Sequence, residues 1–509
     1  MFLPRTLGRL LLLWLLAAGL VSRAEGIYPQ LSNAAFDSLR SRLRTSRPDT
    51  NRVRLLVRLA QGYLTRSDES SADLDPARPY CQQAAALSEQ LHFPTGRISS
   101  LYLLGQLHAL TEEDTLGPDY FRRGLALSQR LGNRRLEAFG WYWLSQIYSA
   151  AAPGLLARLA CLQRSKALFQ QLHDQANEAY LLKCIADEHL RQGHSAQAIR
   201  ELLVVEALYR AAGHRKLFYT YDLLQASYRQ LGDYKEALRY SLAALDNARA
   251  VQDSTLSGAL YARLAMLYRE QKQYPAALGY YHKALVKMQQ TGDSINAVSM
   301  AGIIVRIMVQ QHRTPEALAF FTRATKAYST KQPHIAERIA DYMVELHVAL
   351  GHYAQAEPYA GQLVAFLHSG QADDGEARAV RLTLSKFYLR TGRYNEARHY
   401  LQQSMTLTRH SATPLDLAGL HLLLFKADSA QGRFPAAIVH YQQYKQLTDS
   451  VLNEKKNQQL ATLQMQYDTR KKEQNIALLT RQTQAQQPAI GSAAAGNQPQ
   501  KRVVGTAGG

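Results

Sequence analysis

Little in this chain offers chemistry. No glycine-rich phosphate loop, His-Glu-x-x-His, Cys-x-x-Cys or nucleophile elbow occurs in its 509 residues, so no catalytic residue, metal site or cofactor is expected. The sixteen histidines are scattered, and Glu112-Glu113-Asp114 and Asp373-Asp374 read as solvated turns between helices. Strand-like alternation of apolar and polar residues is also missing, which leaves an all-α chain. Cysteine is scarce: Cys81, Cys161 and Cys184 read as small buried apolar residues, with a Cys161–Cys184 disulfide left open.

Two further shortages exclude whole classes. Acidic residues number 41 against 60 basic ones, and the net charge of +19 invites a nucleic-acid partner. Its distribution argues against one. Residues 1–66 carry eleven Arg and three acids, residues 451–509 carry eight Lys/Arg and three acids, and no nucleic-acid motif accompanies either end. Long apolar runs are absent too: Leu10 to Val21 spans twelve residues, where a membrane helix needs about 18 to 20, so no stable membrane span is expected. Arg5 and Arg9 before this run and Ser22-Arg23-Ala24 after it fit a secretory signal peptide over residues 1–24, cleaved near Ala24. The expected location is therefore outside the cytoplasm, periplasmic or secreted.

What the chain has is a beat. In Leu260 to Leu285, Tyr261, Leu264, Ala265 and Tyr268 share one helix face, and Ala277, Tyr281 and Ala284 share another after a short break. This is a helical hairpin, with Pro275 suited to the first turn of its second helix. Equivalents of Ala277 fall at Ala77, Gly117, Arg158, Ala198, Ala237, Ala317, Ala356, Ala397 and Ala437, a spacing of 39 to 41 residues. Such a period marks a solenoid. Gly232, Gly351, Gly392 and Gly432 predict left-handed helix ends, with the aromatic two residues later packing back over the turn.

The hairpins resemble the tetratricopeptide repeat. Trp141-x2-Leu144-Ser145-x2-Tyr148, Leu101-x2-Leu104-Gly105-x2-His108 and Tyr221-x2-Leu224-x3-Tyr228 follow its first-helix pattern. Ala277-x3-Tyr281-x2-Ala284 and Ala317-x3-Phe321-x2-Ala324 follow its second. The unit is longer than the usual 34 or so residues. The resemblance implies a right-handed superhelix of about ten repeats over residues 51–448, preceded by a short helix within residues 25–50. It also implies a concave face lined by first helices, at the slots of Ala262, Met266 and Arg269. Tyr102, Tyr142, Lys183, Arg229, Arg269, Arg306, Lys386 and Lys426 are the candidate partner-binding residues there. Five of them, from Arg229 onward, form a basic stripe interrupted by Asp341 and Glu345, suited to an acidic segment or a chain's carboxylate.

Residues 451–487 contain no glycine or proline and predict one long helix, whose Leu460, Leu463 and Tyr467 suggest a coiled coil able to form a homodimer. Residues 488–509 are expected to be disordered. A signal peptide, long repeats and a helix of this kind together are similar to the sensory half of bacterial membrane-bound histidine kinases and related transcription regulators. The sequence thus supports a non-enzymatic exported scaffold binding a peptide or protein partner, with a truncated sensory module lacking its output domain as the alternative.

Overall fold

The computed structural model describes residues 31, 33–66, 76–110, 116–148, 154–253, 256–328, 332–407 and 413–452. The signal peptide, the coiled-coil seam and the C-terminal tail read from the sequence lie outside these residues. The chain divides into two compact units, Met1–Thr448 and Asp449–Gly509. Of the second, residues 449–452 are described, as helix.

Every regular element among the described residues is a helix. In the first unit, α1 (Asn33–Thr45) precedes a series of hairpins. These pair α2 (Thr50–Arg66) with α3 (Ala77–Gln90), α4 (Pro94–Leu110) with α5 (Gly117–Arg130), and α6 (Arg134–Gln146) with α7 (Gly154–Gln171). Next come α8 (Gln175–Arg191) with α9 (Ser195–Ala211), α10 (Phe218–Leu231) with α11 (Tyr234–Ala250), and α12 (Ser257–Glu270) with α13 (Tyr274–Thr291). The series continues with α14 (Ser294–Gln310) and α15 (Thr314–Thr325), α16 (Pro333–Leu350) and α17 (Tyr353–His368), and α18 (Asp374–Arg390) and α19 (Tyr394–Leu407). The last pairs α20 (Pro414–Ala430) with α21, residues 434–448.

Each helix packs chiefly on its neighbours in sequence, as a solenoid requires. First helices also approach one another directly, α2 with α4, α14 with α16 and α16 with α18, so they form one wall of the array. Second helices sit between the first helices before and after them.

The beat read from the sequence is the packing unit. Ala77, Ala198, Ala237, Ala277, Ala317, Ala356 and Ala397 have no exposed surface. A methyl group is the largest side chain that lets the two helices of a hairpin close on each other. Gly105 and Gly124 show the same closeness, since a Cβ at either would strike the ring of Phe121 or Tyr102. Arg158 departs from the pattern and is tolerated because its Nε donates to Glu188 at 2.7 Å.

A second slot closes the turn end of the hairpins with stacked rings. Tyr228 lies on Tyr240 at 5.5 Å, Tyr268 on Tyr280 at 5.4 Å, and Tyr388 on Tyr400 at 5.8 Å, all nearly parallel. His108 and His347 occupy the same slot and stack on Tyr120 and Tyr359. These histidines are packing residues.

Gly232, Gly351, Gly392 and Gly432 adopt φ of 70° to 80°, as expected. Three of the four aromatics that follow them stand largely in solvent, Tyr234, Tyr353 and Phe434 at 37%, 38% and 63% exposed, while Tyr394 is half-buried. In the hairpins of Gly232 and Gly351 the ring stacks already fill the space beside the turn. Asp233, Asp293 and Asp373 cap the following helices by accepting backbone N–H groups. All three cysteines are free thiols, so Cys161 and Cys184 do not pair.

Gly302 on α14 faces the ring of Tyr342 on α16, with no room for a Cβ between them. Gly302→Ala is expected to lower stability by about 1–3 kcal/mol through overpacking, read as a lower denaturant midpoint, and Tyr342→Leu in the same chain should recover part of the loss.

Candidate functional site

The wall of first helices is the candidate site, and its charges are arranged in pairs. Asp222 on α10 meets Arg263 on α12 at 2.8 Å, with side chains only 6% and 9% exposed. Arg229 Nη1 donates to Glu270 at 3.0 Å across the same two helices. Arg306 on α14 donates twice to Glu345 on α16, at 2.7 and 2.9 Å, and lies 3.7 Å from Asp341. Each pair joins one first helix to the next, like rungs.

Burial governs how these groups titrate. It raises the Asp222 carboxyl despite the attraction of Arg263. Burial also works to raise Glu345, but the Arg306 charge and hydrogen bonds outweigh it and hold the carboxyl below its usual range. Asp341, buried beside Glu345 with Arg306 opposing, is pushed up to about 6. Lys386, facing the same cluster, is lowered by burial. Glu337, one turn before Asp341, is pushed up to about 8 by burial and by the charges of Asp341, Glu376 and Asp373, with Arg338 opposing.

These facts correct the sequence reading at several positions. Tyr102 does not face the wall; it is 1% exposed, its hydroxyl donates to the Leu136 carbonyl at 3.0 Å, and its ring fills space left by Gly124 and Gly140. Tyr142 and Lys183, 6% and 2% exposed, are not open surface either. They are held among aromatic rings: the two hydroxyls of Tyr142 and Tyr180 hydrogen-bond at 3.1 Å, and the Lys183 ammonium lies over Tyr180, Tyr209 and Tyr219. Nor is there a free basic stripe. Arg229 and Arg306 are neutralised across the wall, and Lys386 belongs to the cluster of Arg306, Asp341 and Glu345. Arg269 is half-buried and Lys426 exposed.

Sequence reasoning missed Asp222, Arg263, Glu270 and Glu337 as members of the wall's pairs. A signal was available, because Arg229 and Glu270 are 41 residues apart, Arg306 and Glu345 39. Opposite charges one period apart on first helices are rungs.

Among the described residues, no group of three His, Cys, Asp or Glu is placed to hold a metal ion, and no helix is long and apolar enough to cross a membrane.

The repeat geometry agrees with the family comparison. Residues 255–330 and 379–411 match two models of the tetratricopeptide repeat, so these segments are tetratricopeptide repeats. No curated relative matches the sequence. Among solved structures, Bacillus subtilis aspartyl phosphate phosphatase F is similar over 72% of this chain and 96% of its own, at 12% identity and a TM-score of 0.42. Yeast Tom70 is similar over 85% and 92%, at 11% identity and 0.45. The apo quorum sensor NprR of B. thuringiensis is similar over 79% and 100%, at 12% identity and 0.43.

Two outcomes test the electrostatics. Arg263→Met strands the buried Asp222 carboxylate and should cost about 3 kcal/mol or more at pH 7, whereas Arg313→Met, in an exposed pair with Glu316, should leave the denaturant midpoint unchanged. Glu337 has a folded pKa above its unfolded one, so the folded state holds its proton more tightly and loses stability as pH rises from about 4 to about 8. Glu337→Gln should therefore raise the midpoint at pH 8 relative to the parent chain and match it at pH 4.

Proposed function

We propose that the chain is a non-enzymatic scaffold that holds an extended peptide or a partner's segment along its wall of first helices. The observation that carries this reading is the ladder of buried ion pairs on that wall. Second helices expose Leu242 and Val286 singly and Leu203 beside Val204, as an outer surface does. The first-helix wall instead concentrates half-buried charged and aromatic groups, and buried charges with fixed partners present hydrogen-bonding groups in set positions without collapsing onto one another. Because the rungs cancel charge, shape and placed polar groups select the partner; an acidic partner is favoured locally rather than along a whole stripe.

Export fits the Arg5/Arg9 and Leu10–Val21 pattern, and places the scaffold in a periplasmic or secreted setting. Recovery of the mature N-terminus at Glu25 after expression in a bacterium with a secretory pathway would support this, and retention of residues 1–24 would reject it.

Ala226 on α10 stands in the slot of Met266 and Arg306, half-buried on the wall. Ala226→Trp should obstruct the wall with little effect on the core. In a binding screen of the full chain against arrayed 15-residue peptides, this variant should lose the parent's ligands by tenfold or more. Leu242→Trp on the outer surface should retain them. Equal loss in both, or in neither, rejects the wall as the site.

A further inference from the structure

Two histidines of the last described hairpin point the same ring atom at each other. His421 on α20 and His440 on α21 bring their Nδ1 atoms to 3.0 Å, with ring centres 5.2 Å apart. They stand where Tyr261 and Tyr280 stack in the hairpin of α12 and α13, and Asp428 stands where Tyr268 does. Three neighbouring tyrosine positions thus carry two imidazoles and a carboxylate here.

The carboxylate is out of water. Asp428 is wholly buried, with Oδ1 3.2 Å from Arg398 Nε and Oδ2 3.7 Å from His440 Nε2, and neither oxygen accepts a hydrogen bond among the described residues. A carboxylate beside Nε2 favours a proton there, which leaves the Nδ1 of His440 with its lone pair. His421 then supplies the one proton of the Nδ1 contact. Once that proton passes through solvent to the Nε2 of His421, two lone pairs face each other.

Their spacing is that of two ligands on one ion. Metal–imidazole bonds of about 2.0–2.1 Å meeting at roughly 90–110° set two nitrogens about 2.9–3.4 Å apart. A ligating imidazole is ordinarily oriented by a carboxylate at its other nitrogen, and that is where Asp428 lies. A hydrogen bond between the rings accounts for the 3.0 Å contact, but not for a buried carboxylate behind it with no hydrogen bond of its own.

We infer that His421 and His440 hold one divalent transition-metal ion through their Nδ1 atoms, with Asp428 orienting His440 from behind. Imidazole nitrogen suits Zn2+, Cu2+ and Ni2+, whereas Mg2+ and Ca2+ take oxygen ligands. Among the described residues no third His, Cys, Asp or Glu joins the pair, and both rings are half-buried, so the ion's remaining positions belong to water. Such an open site lies outside the charge ladder of the wall and is independent of what the wall binds.

The test uses the full chain without a polyhistidine tag, titrated with Zn2+ alone by calorimetry and with Cu2+ for electron paramagnetic resonance. The parent should hold one Zn2+ about tenfold or more tightly than its other histidines hold any, and Zn2+ should raise its denaturant midpoint. The Cu2+ spectrum should show two imidazole nitrogens. His421→Ala should remove the tight ion. So should the double variant His421→Tyr with His440→Tyr, which restores the ring pair of Tyr261 and Tyr280 and should keep the parent's midpoint in chelator. His399→Ala, at an exposed histidine of α19, should change nothing. Asp428→Asn should weaken Zn2+ by about tenfold or more while two nitrogens remain in the Cu2+ spectrum. A parent without a tight ion, a tight ion that survives in the double variant, or a spectrum with fewer than two nitrogens overturns the inference, and unchanged affinity in Asp428→Asn overturns the part given to Asp428.

Discussion

A two-helix hairpin of about 40 residues has more apolar surface than its two helices can hide from water between themselves, and the rest of this structure follows from that surplus. Each hairpin must be covered by the next. The slot of Tyr281 shows it most directly: Cys81, Phe121, Leu162, Leu202, Tyr281, Phe321, Ala360 and Leu401 are all at or below 1% exposure. Side chains from alanine to tyrosine fit because the neighbouring hairpin adjusts to each. In the last described hairpin the corresponding Tyr441 is 48% exposed and Ile438 57%. Where a further hairpin is described on the slot's far side, the slot is core.

Within that constraint the array varies its chemistry at fixed places. Among the described residues, the slot pair at the turn end of the hairpins is Tyr on Tyr in four repeats, Tyr63 on Tyr80 at 5.7 Å being the fourth, and His on Tyr in two. In the hairpin of α8 and α9 it becomes His189 with Glu201 at 2.8 Å, and in the last hairpin Asp428 with His440 at 3.7 Å. All of these bridge the same gap between the end of a first helix and the start of a second. Flat rings do it by stacking, and a histidine facing a carboxylate does it by a polar contact. Asp428 is wholly buried, and Arg398 of the preceding hairpin, 3.2 Å away, completes its neutralisation.

The first-helix wall carries the same logic into electrostatics. First helices approach closely enough that a charge on one is within reach of the next, and burial makes an unpaired charge there costly. The outcome is a set of rungs whose net charge is near zero over α10 to α18, despite the chain's excess of basic residues. Recognition on such a wall depends on where polar groups are held rather than on bulk charge.

Much of the architecture was readable from residue order. The 39-to-41-residue spacing of small residues, the left-handed glycines and the three-and-four apolar spacing each depend on local geometry, and local geometry repeats wherever the residues repeat. The resemblance put Arg229, Arg306, Asp341, Glu345 and Lys386 in the slots of the wall, so their places in the sequence pattern were legible. Their states were not. Whether Arg306 is free or doubly bonded to Glu345, whether Tyr102 faces the wall or fills the gap beside Gly140, and whether Lys183 is open or enclosed by three rings all depend on distances between helices some forty residues apart in the chain. Residue order by itself determined the hairpin, its period and the class of fold, because those follow from contacts within a few turns. Tertiary structure alone decided which charges cancel, because opposite charges find each other only once neighbouring hairpins have closed.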